Sequence, residues 1–224
     1  MTAHGTGAYG AHDTPGGTGA DAVASGAPRR IAIIGYSGGG KSTLARALGE
    51  SLGLPVLHLD AVQFLPGWRT RPVGEQRSMV AEFLERHDAW VIDGNYSDLC
   101  ERERLASADL IVMLLFNRFA RLWRVCKRLH AYRGRSRPSM AAGCEERLDA
   151  EFVWWVLHQG CDASHRNRYR AIRHRHASKT VVIRNQRQLT RFTQGLCRQQ
   201  LRTAAPAAAA ASRSCAAGSC ATGR

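Results

Sequence analysis

The chain has 224 residues, 44% of them hydrophobic, a formal net charge of +14 and seven cysteines without a C-x-x-C pair. That is enough chain for one domain with a sizeable core, and the odd, scattered cysteines argue against a secreted disulfide scaffold. The longest apolar run, Leu110 to Phe116, is too short to span a bilayer, and the first 28 residues lack the basic and apolar regions of a secretory signal, so a cytoplasmic protein is expected.

Charge is uneven along the chain. Residues 1–117 hold 10 Lys/Arg against 13 Asp/Glu, whereas residues 118–202 hold 20 against 5. The basic half points to a polyanionic partner, either nucleic acid or the phosphates of a bound nucleotide; solvated arginines are the plainer alternative.

Residues 1–28, rich in Gly, Ala and Thr without apolar periodicity, read as a disordered tail. The branched run Ile31-Ala32-Ile33-Ile34 then predicts a buried parallel strand. It leads into Gly35-Tyr36-Ser37-Gly38-Gly39-Gly40-Lys41-Ser42-Thr43, which satisfies the P-loop pattern. The amides around Gly35, Ser37, Gly38, Gly39 and Gly40 can turn inward as a phosphate nest. Lys41 can reach the β- and γ-phosphates, Ser42 can bind Mg²⁺, and Thr43 is expected against the α-phosphate of ATP. Leu44, Leu48 and Leu52 mark the following helix, stopped by Gly53 and Pro55.

Val56-Leu57-His58-Leu59 predicts a second strand that delivers Asp60 to its C-terminal end, where open α/β sheets place their chemistry. Asp60 is expected to orient or deprotonate an acceptor hydroxyl or to help hold the metal through water; a helix N-cap is the structural alternative. Residues 63–72 form a Pro- and Gly-containing loop in which Trp68 can stack on a base and Arg69 or Arg71 can meet a phosphate, or in which Trp68 plugs the loop onto the core. A helix with Met79, Val80, Phe83 and Leu84 on one face follows. Ala89 to Tyr96 then supplies an apolar strand ending in Asp93, a carboxylate suited to the Mg²⁺ shell, with Asn95 and Tyr96 as polar contacts to an acceptor.

Asp109 to Phe116 predicts the fourth strand. A basic helix follows, with Arg118, Arg121, Arg124 and Arg128 along one face and Leu122, Trp123 and Val125 as packing residues. It runs into an Arg-rich lid at about 128–145, where Arg128, Arg133, Arg135 and Arg137 are expected to close over a transferring phosphoryl group; contact with a nucleic-acid backbone is the competing reading. Glu145 to Gln159 predicts a helix, with Trp154 and Trp155 as core. A second basic helix over 162–176, a fifth strand over 180–184 and a last helix with Leu189, Phe192, Leu196 and Leu201 complete a domain over 29–202. Asn185-Gln186-Arg187 is the loop expected to touch the base. The Ala/Ser tract 203–224 reads as a second disordered tail.

The P-loop, Leu57-His58-Leu59-Asp60, Pro66-Gly67-Trp68, Val91-Ile92-Asp93-Gly94-Asn95-Tyr96, the segment 132–138 and Gly143 to Asp149 together resemble the bacterial adenylate kinase-like proteins often labelled DNA topology modulation proteins. The resemblance implies a three-layer α/β P-loop fold of the nucleoside and shikimate kinase type, with a five-stranded parallel sheet in the order 2-3-1-4-5, and ATP with Mg²⁺ as ligands. Its label implies an effect on DNA supercoiling. True adenylate kinases carry Gly-Lys-Gly-Thr and Asp-Gly-Phe-Pro-Arg where this chain has Gly-Lys-Ser-Thr and Asp-Gly-Asn-Tyr. With Asp60, that loop is more similar to shikimate and gluconate kinases.

The expectation is an ATP-dependent phosphotransferase acting on a small acceptor: a nucleotide, nucleoside or hydroxylated metabolite. The alternatives are an ATP-dependent DNA-binding regulator working through residues 118–202, or a nucleotide-binding module without turnover. No oligomeric state follows from the sequence.

Overall fold

In chain order the elements are β1 (Arg30–Gly35), α1 (Lys41–Leu52), β2 (Val56–His58), α2 (Leu59–Gln63), β3 (Phe64–Leu65), β4 (Arg69–Thr70), α3 (Val73–Arg86), β5 (Trp90–Asp93), α4 (Glu101–Ser107), β6 (Leu110–Leu114), α5 (Arg118–Ala131), α6 (Ala150–Leu157), α7 (Ala163–Arg175), β7 (Thr180–Ile183) and α8 (186–199). The structure, a computed structural model, describes residues 27–132, 139–140 and 150–199.

Five of the strands pair in parallel in the order β2-β5-β1-β6-β7, which is 2-3-1-4-5 when only these strands are counted. β3 and β4 form a separate antiparallel hairpin. The sheet strands are apolar on both sides because helices cover both. Alternate residues of β1 divide accordingly. Ile31 and Ile33 pack with Leu44 and Leu48 of α1 and Leu196 of α8, whereas Ala32 and Ile34 pack with Val80 of α3, Leu105 of α4 and Tyr169 of α7. This three-layer arrangement is the P-loop kinase type of α/β fold.

The register carries the site. Asp93 lies opposite Ile33 on one side and His58 on the other, so three adjacent strands end at one edge.

Several local expectations are corrected. The second strand stops at His58, and Leu59 turns inward to begin α2, so Asp60 stands in the first turn of a short helix. The expected loop at 63–72 contains the β3–β4 hairpin. α4 was not foreseen: seven residues with alternating charge show little periodicity.

The largest correction is at α5. Trp123 is 72% exposed and Phe119 74%, while Arg121 is 1% exposed beside buried Val125. Arg121 is turned in, Arg124 and Arg128 are half-buried, Arg118 is exposed at the start of the helix, and Phe119 and Trp123 face out. On α6, Trp154 is 56% exposed and stacks on His158, while Trp155 is half-buried.

Candidate active site

The loop between β1 and α1 owes its shape to glycine. Gly35 has φ +136° and lies so close to β6 that a Cβ would stand 2.2 Å from the Leu114 carbonyl oxygen; Gly40 adopts φ +90° as the left-handed N-cap of α1. The first turn of α1 therefore presents its positive end to the cavity. Lys41 Nζ donates to the carbonyl oxygens of Gly35 (3.1 Å) and Tyr36 (3.3 Å), folding back along the loop.

Ser37, Gly38, Gly40, Lys41, Ser42 and Thr43 line one side of a cavity of about 570 Å³. Across it stand Arg124 and Arg128 of α5 and, from α8, Gln186 and Thr190. Arg124 donates from Nη1 to Gly39 O (2.6 Å) and from Nη2 to Gln186 Oε1 (2.5 Å), with its guanidinium 3.8 Å from the centre of the Phe116 ring. Burial lowers its pKa. The expected base-contacting residue Gln186 thus lines the cavity next to a planar cation.

Ser42 Oγ donates to Asp93 Oδ2 at 2.8 Å, and His58 Nδ1 pairs with Asp93 Oδ1. Asp93 is buried, at 3% exposure. A hydroxyl and a carboxylate in contact at the loop are a hard oxygen set that fits Mg²⁺.

A second cavity, about 420 Å³, lies on the other side of Lys41. Asp60 accepts from Tyr96 OH at 2.8 Å and lines both cavities, as do Ser37 and Lys41. Asn95 lines the second and is tied to the P-loop reciprocally: Gly35 N donates to Asn95 Oδ1 (2.9 Å), and Asn95 Nδ2 donates to Gly35 O (2.6 Å). Arg168 of α7 pairs with Glu101 and donates to the Asn95 carbonyl.

Among the sequence-predicted residues, the P-loop set, Asp60, Asp93, Asn95, Tyr96 and Arg128 come together here. Trp68 and Arg69 line neither cavity; Trp68, at φ +62°, packs edge-on against Phe64 (5.3 Å), and Arg69 is exposed on the hairpin. Arg71 donates to Val62 O at 2.9 Å and lies 3.7 Å from Glu75, which fastens the hairpin. Arg133, Arg135 and Arg137 lie outside the described residues.

Sequence reasoning gave no site role to His58, Arg104 or Arg168, and placed Arg121 and Arg124 on a helix face without assigning either to the site. Arg104, 1% exposed, donates to Leu99 O (2.7 Å) and Tyr96 O (2.8 Å), and burial holds its pKa down at about 10, against the pull of Glu101. It clamps the segment that carries Tyr96. An arginine among charged helix residues gives no signal of this role.

No family model and no curated protein matches the chain. Solved structures do. A gluconokinase from Sinorhizobium meliloti 1021 is 18% identical, with 81% of this chain and 97% of that chain covered and a TM-score of 0.43. A shikimate kinase from Bacteroides thetaiotaomicron is 17% identical over 79% and 99%, with a TM-score of 0.44. A deoxyadenosine kinase from M. mycoides with bound dATP is 15% identical over 75% and 98%, with a TM-score of 0.40. At such values the functional reading rests on the chain's own geometry, and by its sheet order and glycine loop the chain has a P-loop kinase-type fold.

Proposed function

We propose that the protein is an ATP-dependent phosphotransferase that moves the γ-phosphoryl group to a hydroxyl of a small acceptor. The observation that carries this reading is that Asp60 stands where the P-loop cavity and a second cavity meet, beside Lys41. A carboxylate between a phosphate seat and a second cavity is where a hydroxyl would be oriented for in-line attack.

In this mechanism the loop amides and Lys41 hold the polyphosphate, and Arg124 with Gln186 holds the base. Tyr96 holds Asp60 Oδ1, and the carboxylate receives the acceptor's proton as the new P–O bond forms and the bond to the β-phosphate oxygen breaks. Ser42 and Asp93 would hold Mg²⁺, which neutralises phosphate charge when bound. Arg128, with the lid arginines Arg133, Arg135 and Arg137, would stabilise the transferring group. Trp68 and Arg69 would reach the acceptor only through a movement of the hairpin.

ATP consumption with Mg²⁺, alone and against nucleoside monophosphates, nucleosides and hydroxylated metabolites, tests the reading. One acceptor is expected to stimulate turnover, and Lys41→Ala to reduce it by about a hundredfold or more. Nucleotide binding without stimulation by any acceptor would favour a module without turnover.

One observation favours a second reading, a DNA-binding regulator like that named by the family label. α7 exposes Arg166, Arg170, Arg173 and Arg175 while burying Tyr169 and Ile172, a basic outer face that suits a phosphate backbone.

A further inference from the structure

Arg121 of α5 is buried, yet it lines neither cavity and belongs to neither core cluster. It is 1% exposed, yet its Nε and Nη1 have no hydrogen-bond partner among the described residues. Its guanidinium lies 4.7 Å from the centre of the ring of Tyr36, the second residue of the P-loop. Its backbone abuts the loop as well, since a Cβ on Gly38 would meet Arg121 O at 2.9 Å. Tyr36 in turn meets Tyr169 edge-on at 5.3 Å, and the buried Tyr169 hydroxyl also lacks a hydrogen-bond partner among the described residues. A buried cation without a carboxylate destabilises a protein unless something negative comes near it. A cation–π contact offsets only part of that cost. The large negative group that this fold brings to the far side of the same loop is a polyphosphate.

We propose that Arg121 is a positioning residue for the polyphosphate: it braces the P-loop from behind through Tyr36, and its charge, which no carboxylate pairs among the described residues, is offset when a polyphosphate occupies the loop. The proposal rests on the nucleotide-binding reading above. The unliganded protein therefore carries a built-in instability that ligand charge relieves, and the relief scales with the number of phosphates.

The test compares wild type, Arg121→Met and Arg121→Lys by thermal unfolding without ligand and by calorimetric titration with ATP, ADP and adenosine. Methionine matches the stem and removes the charge. Arg121→Met is expected to unfold at or above the wild-type temperature without ligand, and to bind ATP on the order of tenfold more weakly. It should lose less for ADP and little for adenosine. Arg121→Lys should keep the graded dependence on phosphate number with a loop less well held. The proposal is overturned if Arg121→Met fails to fold or unfolds well below wild type, since the charge would then be compensated. It is overturned equally if all three ligands weaken alike, which a purely structural role predicts, or if ATP affinity is unchanged. Should wild type itself bind no nucleotide, the nucleotide reading falls and takes this one with it; wild-type binding with an unaltered variant removes Arg121 alone.

Discussion

Asp60 is joined to Tyr96 by one hydrogen bond of 2.8 Å. If the carboxylate takes the acceptor's proton, Asp60→Asn keeps the shape and loses the base, so kcat should fall by about a hundredfold to ten-thousandfold with little change in ATP affinity. Tyr96→Phe, which removes only the donor, should lower kcat by a much smaller factor, about tenfold. Steady-state assays on both variants, with ATP binding measured separately, check the pair; an Asp60→Asn enzyme of normal turnover would remove Asp60 from the chemistry. The placing of both aspartates at one sheet edge was legible from the apolar runs before them, although Asp60 stands in the first turn of α2 rather than on β2. The partner of Asp93 was not, since His58 lies 35 residues away and meets it only through the pairing of β2 with β5.

Helix α5 shows what periodicity can and cannot say. The spacing of Arg118, Arg121, Arg124 and Arg128 predicted one shared face but not which way it looks; the last three are drawn in, and Arg118 stays exposed. Hydrophobic burial alone turns Phe119 and Trp123 inward. Here the arginines face in because Arg124 finds Gly39 O and Gln186, and Val125 holds the helix to the P-loop side. Denaturation curves should reflect this. Trp123→Ala should change stability by less than about 0.5 kcal/mol, whereas Val125→Ala, at 2% exposure, should cost roughly 2 kcal/mol. A costly Trp123→Ala would mean that the exposed face is covered in solution. The strand positions were legible to within a residue or two because the five mostly apolar runs are bounded by Gly, Pro, Asn or charged residues. α4 was not, because it is held by tertiary contacts of Leu105 and Arg104 rather than by its own pattern.

For the whole molecule, the basic surplus includes two populations with different surroundings. Arg124 and Arg128 line the P-loop cavity while Arg121 is buried against Tyr36, and Arg166, Arg170, Arg173 and Arg175 of α7 face solvent. Net charge, read from composition, cannot separate them. Binding of duplex DNA, measured by fluorescence anisotropy, should depend on the outer set alone. With four phosphate contacts it should weaken about a hundredfold between about 50 and about 200 mM salt. It should also be indifferent to ATP, and Arg170→Glu with Arg173→Glu should abolish it without touching ATP consumption. DNA affinity that rises or falls with ATP would put the regulator ahead of the kinase.

The amide of Gly35, at the tip of the central strand, is bonded to the side chain of Asn95. A strand amide ordinarily exchanges its hydrogen when the sheet opens. This one is protected by another segment, itself held by Arg168 and thus by α7. Its exchange rate therefore counts how often the Asn95 segment lifts from the loop, a clock for the second cavity that is read at the P-loop.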